Sequence, residues 1–404
     1  MRLHKNLVLA VLNGLHQIFN EEKYADKVVA QVLKSDKRWG SRDRGFIAET
    51  SYEIVRWKRL YAAIAEVQEP LNRDDLWRIF AVWATLRGYP LPEWKPFEGT
   101  PTRRIKGRFE TLRKERKYRE SVPDWLDELA VKSLGEKKWE KELEALNTVA
   151  PVVLRANSLK ILPKLLRNAL LEDKITTQYL SKYPDALMLD ERSNVFSTDA
   201  FQKGLFEVQD AASQCVAPFT QVESGMRVID ACAGAGGKSL HLAALMQNKG
   251  QLIALDIHQY KLRELKRRAK RAGAHNIETR LIENNKIIKK LYGSADRVLL
   301  DAPCSGLGVL RRNPDAKWKL NPDFIDRVVA EQQKILSQYA HMVKPGGKLI
   351  YVTCSILPQE NEAQVSEFLT TEIGKSFSLE KENHFWPSVQ GFDGFYMARL
   401  VRKA

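Results

Sequence analysis

The chain has 404 residues, 44% hydrophobic and 28% charged, with 65 Lys and Arg against 50 Asp and Glu, a formal charge of +15 and a pI near 9.5. Such a length predicts two or three domains, and the composition is that of a soluble globular protein. No apolar run approaches the ~20 residues needed to span a bilayer, and the basic excess favours a polyanionic partner through counterion release and steering.

Met1-Arg2-Leu3-His4-Lys5-Asn6 leads into a helix-like pattern with no small-residue cleavage site, so no secretion signal is expected. Four cysteines (Cys215, Cys232, Cys304, Cys354) form no Cys-x-x-Cys pair, which points to reduced thiols in the cytoplasm and away from a metal. A monomer without a membrane partner is expected.

Residues 1–120 read as helices. Leu7, Val8, Val11, Leu12, Leu15, Ile18 and Phe19 form one i, i+3/i+4 stripe. Phe46, Ile47, Ile54 and Trp57 form a second, and Leu76, Ile79, Phe80 and Trp83 a third, opened by Asn72 with first-turn acids. Prolines and glycines between 88 and 101 break the pattern. A basic run follows, with Arg103, Arg104, Lys106 and Arg108 as candidate nucleic-acid contacts; the competing reading is a solvated face. A second basic run, 261–271, also reads as the outer side of an amphipathic helix. Residues 121–205 suggest a small α+β linker module, with apolar stretches at 151–157 and 186–189 around a helical stripe at 161–171.

From 206 to 404 strand and helix alternate. Strands are predicted at 227–230, 251–255, 277–281, 297–300 and 348–353, with a last edge strand at 395–401. Helical stretches between most of them predict a doubly wound, mostly parallel α/β sheet of Rossmann-like type.

After the first of these strands comes Asp230-Ala231-Cys232-Ala233-Gly234-Ala235-Gly236-Gly237-Lys238-Ser239. A Walker loop would need Gly where Cys232 stands, and a dinucleotide turn would need Gly where Ser239 stands. Small residues still let a ligand approach the backbone, and the following helix offers free N–H groups. Asp256, ending the next strand, sits where an acid accepts ribose hydroxyls, although a solvated strand-end Asp is equally ordinary. Two acids and no phosphate cradle suit S-adenosylmethionine, whose sulfonium and amino groups are cationic.

Cys304 and Cys354 each follow an apolar strand, in Asp301-Ala302-Pro303-Cys304-Ser305 and Thr353-Cys354-Ser355. Free cysteine is often a buried packing residue. Two thiols at the carboxyl ends of sheet strands, where ligands collect, instead suggest covalent chemistry on an electron-poor ring. Carbon 5 of cytosine attacks a methyl sulfonium poorly until a thiolate adds at carbon 6. Asp301 then suits nitrogen 3 or the amino group, and Lys238 a thiolate or the ring carbonyl. The bland readings are a capping acid and a surface lysine.

These residues resemble the Sun family of RNA cytosine-5 methyltransferases. The match runs from Gly204–Gln214 through Asp301–Gly308 and Arg311–Trp318 to Thr353–Glu362 and Asp393–Ala398. The resemblance implies that Cys354 adds to the ring and Cys304 assists release, with S-adenosylmethionine as cofactor. Its site would comprise Asp230, Cys232, Ala233, Gly234, Ala235, Gly236, Gly237, Lys238, Asp256, Lys261 and Asp301, with Glu283 (or Asn284) at the adenine. Arg311, Arg312 and Lys317 would contact RNA, with Trp318 either stacking there or serving as a core aromatic. Residues 1–120 are similar to the NusB-like RNA-binding domain of the family's bacterial ribosomal RNA members, around Arg42–Glu49. That architecture implies small-subunit ribosomal RNA. Transfer RNA or large-subunit RNA as substrate, and a non-catalytic assembly factor, are the alternatives. The family usually has Ala-Pro where this chain has Gly234-Ala235.

Overall fold

The computed structural model describes residues 2–404 and resolves two compact units. One comprises the chain up to Thr148 together with Leu310–Pro322; the other comprises Val149–Val309 and Asp323–Ala404.

The first unit is helical. Its long helices are Lys5–Phe19, Ala25–Ser35, Ser41–Arg56 and Arg73–Leu86, and their periodic stripes turn inward. Val8, Val11, Leu15, Ile47, Ile54, Ile79, Phe80 and Trp83 meet in one core. At the fourth helix Asn72 Oδ1 accepts from the N–H groups of Asp74 and Asp75, and the Asp75 carboxylate accepts from Asn72 N–H. That reciprocal cap contributes about 1 kcal/mol.

The unit continues past 120, where the sequence suggested a boundary. Pro123 opens another helix, Asp124–Leu134, and Glu136–Leu146 follows. Both are tied back by the basic run: Arg116 pairs with Asp127 and Glu136, and Arg119 with Glu140. These arginines are cross-braces, which charge patterning alone cannot distinguish from a binding face.

The second unit holds two sheets. Strands β1 (Val153–Ala156), β2 (Thr177–Tyr179), β3 (Ala186–Leu189) and β4 (Phe206–Val208) form an antiparallel sheet in the order β2-β3-β1-β4. Strand β4 lies beyond the expected 205/206 division, because its three residues pair with β1 and not with the larger sheet.

That larger sheet contains β5 (Arg227–Asp230), β6 (Gln251–Asp256), β7 (Ile277–Leu281), β8 (Ala295–Asp301), β9 (Val343–Thr353), β10 (Phe377–Phe385) and β11 (Phe395–Arg402), in the order β10-β11-β9-β8-β5-β6-β7. Strands β7, β6, β5, β8 and β9 run parallel, and β11 and β10 are added antiparallel. Apolar layers cover both faces, one with Val228, Leu252, Leu299 and Ile350, the other with Ile229, Ile253, Leu300 and Tyr351.

The tail strand β11 is interior, against expectation. The edge is β10, whose polar sequence Ser378–Asn383 gives no apolar alternation to detect and suits an exposed rim.

The fold places the site. The order reverses between β5 and β8, and the carboxyl ends of β5, β6, β8 and β9 open side by side there.

Candidate active site

The loop after β5 is held in shape by its neighbours. Ala231 N–H donates to Leu299 O and Ala233 N–H to Leu255 O, both at 2.8 Å. Gly234 and Gly236 take positive φ values of 55° and 87°. A Cβ at Gly236 would lie 2.5 Å from the Leu265 side chain, so glycine is required there both by conformation and by space.

Asp256 braces the same loop, its carboxylate accepting from Gly234 N–H at 2.9 Å and from His258 N–H at 2.7 Å. Two arginines clamp the loop carbonyls: Arg155 donates to Gly237 O at 2.9 Å and Arg268 to Ala235 O at 2.8 Å. Arg268 and Arg271 share Glu207. Part of the 261–271 basic run is therefore internal bracing.

At the base of the loop Ser239 Oγ–H donates to Asp230 Oδ2 at 2.6 Å, while Asp230 Oδ1 is buried without a partner. Burial, reinforced by the charge of Asp301, pushes the Asp230 carboxyl up to about 7 against the Ser239 hydrogen bond. A buried acceptor that lacks a donor fits a ligand bringing a cationic amino group. Cys232 lines the same place; burial first, then Asp230, Asp301 and Asp256, pushes its thiol up, and Lys261 opposes them. At the end of β7, Asn284 caps the helix Asn285–Lys289, its side chain accepting from Lys286 N–H at 3.0 Å, and both it and Glu283 are exposed.

The candidate catalytic side chains meet at the ends of β8 and β9. Their register sets Asp301 opposite Val352, and Ala302 N–H donates to Val352 O at 2.8 Å. The two following loops thus leave the sheet together, and Cys304 Sγ lies 3.3 Å from Cys354 Sγ. The hydrogen bond to Cys354 and then burial hold the Cys304 thiol well above its ordinary range.

Lys238 Nζ donates to Asp301 Oδ2 at 2.6 Å and sits over the Phe395 ring at 5.2 Å. Burial lowers the proton affinity of Lys238, but the charge and hydrogen bond of Asp301 outweigh it, with Cys354 and Asp230 adding, so the ammonium is held above its usual range. Lys238, Asp301, Cys304 and Cys354 form one constellation. Cys215 stands outside it, its thiol directed to Ala211 O at 3.6 Å.

The tight packing beneath the thiols comes from Gly308, whose N–H donates to Cys354 O at 2.9 Å and whose O accepts from Gly394 N–H at 2.8 Å. A Cβ on Gly308 would lie 2.3 Å from Gly394 O. This close approach explains why glycine occurs at both places in the motif strings.

The expected RNA contacts fare differently. Arg103, Arg104 and Lys106 are exposed on the helix Thr102–Leu112, while Arg108 donates to Ile64 O at 2.9 Å and pairs with Glu66. Lys317 is only 2% exposed and Arg311 only 8%, and Arg312 is half-buried. This corrects the expectation for Lys317 and Arg311: the segment Leu310–Pro322 is part of the helical unit. Lys317 Nζ points at Glu120 O and Asn147 Oδ1, and Arg56 donates to Arg311 O at 2.9 Å. Trp318 Nε1–H donates to Val55 O at 2.7 Å and its ring joins the helical core.

A family described as 16S rRNA methyltransferase RsmB/F matches residues 219–401, and its ferredoxin-like domain matches 122–196. Curated relatives are named ribosomal RNA small subunit methyltransferase B. That of Vibrio vulnificus is 33% identical across 70% of this chain and 67% of its own length, and the probable enzyme of Bacillus subtilis is 32% identical with the same coverage. The chain belongs to the RsmB/F family. The probable enzyme of Synechocystis sp. is 37% identical, over 67% of this chain and 60% of its own length, so the aligned part spans about three-fifths to two-thirds of these relatives. Among solved structures, PH0851 matches with a TM-score of 0.84 and 25% identity over 99% of both chains. NSun6 from Pyrococcus horikoshii, solved with SFG, shares the fold at a TM-score of 0.65 and 21% identity, over 71% of this chain and all of its own. Among the described residues no cluster of His, Cys, Asp and Glu is suited to a metal ion, and no helix is long and apolar enough to cross a membrane.

Proposed function

We propose that the protein is an S-adenosylmethionine-dependent methyltransferase of small-subunit ribosomal RNA, acting on carbon 5 of a cytosine through a transient cysteine adduct. The observation that carries this reading is the 3.3 Å approach of Cys304 and Cys354 beside the Lys238–Asp301 pair. The family's bacterial members are named for small-subunit ribosomal RNA, which supports the choice of substrate.

The cofactor, when bound, supplies an electrophilic methyl group. Asp230 would take its amino group, Asp256 the ribose, and Gly234, Gly236 and Gly237 would allow close backbone approach, with Lys261 and Cys232 beside them and Glu283 toward the adenine. Cys354 adds as thiolate to carbon 6 of a base that has left its stack, and the electron pair displaced from the 5,6 double bond makes carbon 5 nucleophilic. Asp301 orients the amino edge of the base, and Lys238, neutralising Asp301, presents positive charge to the ring carbonyl as negative charge develops. After methylation the carbon-5 proton leaves to a base, the double bond re-forms, and the Cys354–carbon bond breaks to return the thiolate. Cys304, whose thiol lies 3.3 Å from that sulfur, stands where it can donate a proton to it as it departs. Arg103, Arg104 and Lys106 would bind phosphates in the manner of the NusB-like resemblance.

Cys354→Ala should abolish both methylation and covalent adduct, whereas Cys304→Ala should accumulate a protein–RNA adduct resistant to denaturant. Normal methylation by Cys354→Ala would overturn the mechanism. Bisulfite sequencing of ribosomal RNA with and without the gene tests the substrate: loss of one small-subunit site is expected. An unchanged small-subunit map would move the assignment to transfer RNA or large-subunit RNA.

A further inference from the structure

Immediately after each reactive thiol stands a serine, Ser305 after Cys304 and Ser355 after Cys354, and both serines converge on one carboxylate. Glu360, in the short turn Pro358–Glu360 that follows β9, is fully buried. Its Oε1 accepts from Ser305 Oγ–H and from Ser355 Oγ–H, each at 2.5 Å. Its Oε2 accepts from Ser305 N–H at 2.7 Å and from Gln332 Nε2–H at 3.2 Å. The two serine oxygens are 3.2 Å apart, and each in turn accepts a backbone N–H from its own loop, of Leu307 and of Leu357. The far side of Glu360 is fixed as well: Tyr351 O–H donates to its carbonyl at 2.7 Å.

A buried carboxylate is costly unless its lone pairs are filled. Here the four donors carry no formal charge, and three of them come from the residues that adjoin the thiols. A single loop cannot satisfy the group: with the Cys304 loop displaced, Glu360 keeps only Ser355 and Gln332, and with the Cys354 loop displaced it loses Ser355. The desolvation cost of an unsatisfied carboxylate therefore opposes any relative slip of the two loops. Gln332 extends the restraint, since its amide also donates to Pro303 O at 2.9 Å, one residue before Cys304.

We infer that Glu360 is the positioning residue of the thiol pair: by accepting from Ser305 and Ser355 at once, it fixes the two sulfurs at contact distance. Its charge also acts on the Cys304 thiol in the direction that keeps it protonated, after the larger effects of Cys354 and burial. This role deepens the proposed mechanism and rests on it for its consequence in turnover, but the geometry it predicts is measurable without any substrate.

The test is oxidation of the purified full-length protein with the azo compound diamide. Two thiols join as a disulfide, and the azo group takes up their two hydrogens and becomes a hydrazine. The Cys304–Cys354 link is read by mass spectrometry after digestion. Coupling should slow about a hundredfold in Glu360→Gln, where an amide N–H would face the Ser305 or Gln332 donors, because an ångström of misplacement at reacting atoms costs about that much. Ser355→Ala, which removes one donor and leaves the carboxylate, should slow coupling less, by about tenfold. With RNA as substrate, Glu360→Gln should lower kcat while leaving KM for RNA and the binding of S-adenosylhomocysteine unchanged, the last serving as the measure of an intact fold. Coupling rates within twofold of the parent in both variants would overturn the inference. Slowed coupling in a protein that does not methylate cytosine would sustain the role of Glu360 and sink the proposed reaction instead.

Discussion

One continuous motif, Asp301 to Trp318, serves two unrelated purposes on either side of Val309. Its first half, Asp301–Gly308, delivers an acid and a thiol to the carboxyl end of the sheet, beside Lys238 and Cys354. Its second half, Leu310–Trp318, packs into the helical unit, where Lys317 is buried and Trp318 joins the core. Charge and aromaticity look equally functional in both halves when read as text. What separates them is the company each side chain keeps: Asp301 pairs with Lys238 at the carboxyl end of the sheet, whereas Lys317 meets a carbonyl and an amide. A specific motif thus identifies a fold as readily as a site.

The sharpest way to separate the halves is to remove the charge of Lys238. Lys238→Met leaves Asp301 unpaired beside the thiols and should lower kcat by about a thousandfold, as the loss of a preorganised electrostatic partner does. The thermal midpoint of the helical unit should stay where it is. Steady-state kinetics beside a melting curve reads both. A loss of stability with normal turnover would place Lys238 among the scaffold residues.

Trp318→Ala is the converse. The ring is half-buried, its N–H bonded to Val55 O, with Lys58 5.5 Å above the ring. Deleting it should cost about 3 kcal/mol of stability. Turnover at a temperature where the variant remains folded should be unchanged. If Trp318 instead stacks on the substrate strand, KM for RNA will rise while the melting point holds.

How much of this could be read from the sequence follows from the same contrast. The parallel strands β5 to β9 are apolar runs bounded by turn residues, and all five lie where the pattern put them. The loops that follow them carry acids, a lysine and thiols outside any periodic apolar pattern, so Asp230, Lys238, Asp301, Cys304 and Cys354 are legible as candidates. Strand β10 did not, because an exposed edge of charged residues has no periodic signal to offer. The burial of Lys317 was hidden for another reason: its neighbours in space, Glu120 and Asn147, are some 170 to 197 positions away in the chain. Glu360 lies in the motif Thr353–Glu362, yet nothing in its spacing marks it as the partner of Ser305. The serine after each cysteine was the available clue.

Lys317 offers a test by titration. Burial, and then the charge of Arg56, pull its ammonium down to about 7 from 10.5. The native state pays for that charge below about pH 7, and the penalty lifts as pH rises toward 10.5, where the unfolded chain also loses its proton. Lys317→Met should therefore stabilise the protein by about 2 kcal/mol near pH 6.5, and by less near pH 10, with RNA affinity untouched. Weaker RNA binding with no gain in stability would return Lys317 to the substrate face.

The smallest effect belongs to Asp230, in the candidate cofactor loop. Its carboxyl is raised to about 7, chiefly by burial, so the native protein holds a proton that the unfolded chain releases near 3.8. The ligand-free fold accordingly loses stability as pH climbs between those values, the sign opposite to that of a salt-bridged acid. A cationic amino group wants Asp230 ionised, so binding of S-adenosylhomocysteine should strengthen by about tenfold between pH 6 and pH 8. Asp230→Asn should remove most of that slope, and calorimetry at the two pH values in both proteins isolates the contribution of Asp230 from that of the ligand's own amine. Parallel slopes in the two proteins would mean that the orphaned Oδ1 at the foot of the loop is not the amine's acceptor, and would shift that duty to Asp256 or Asp301.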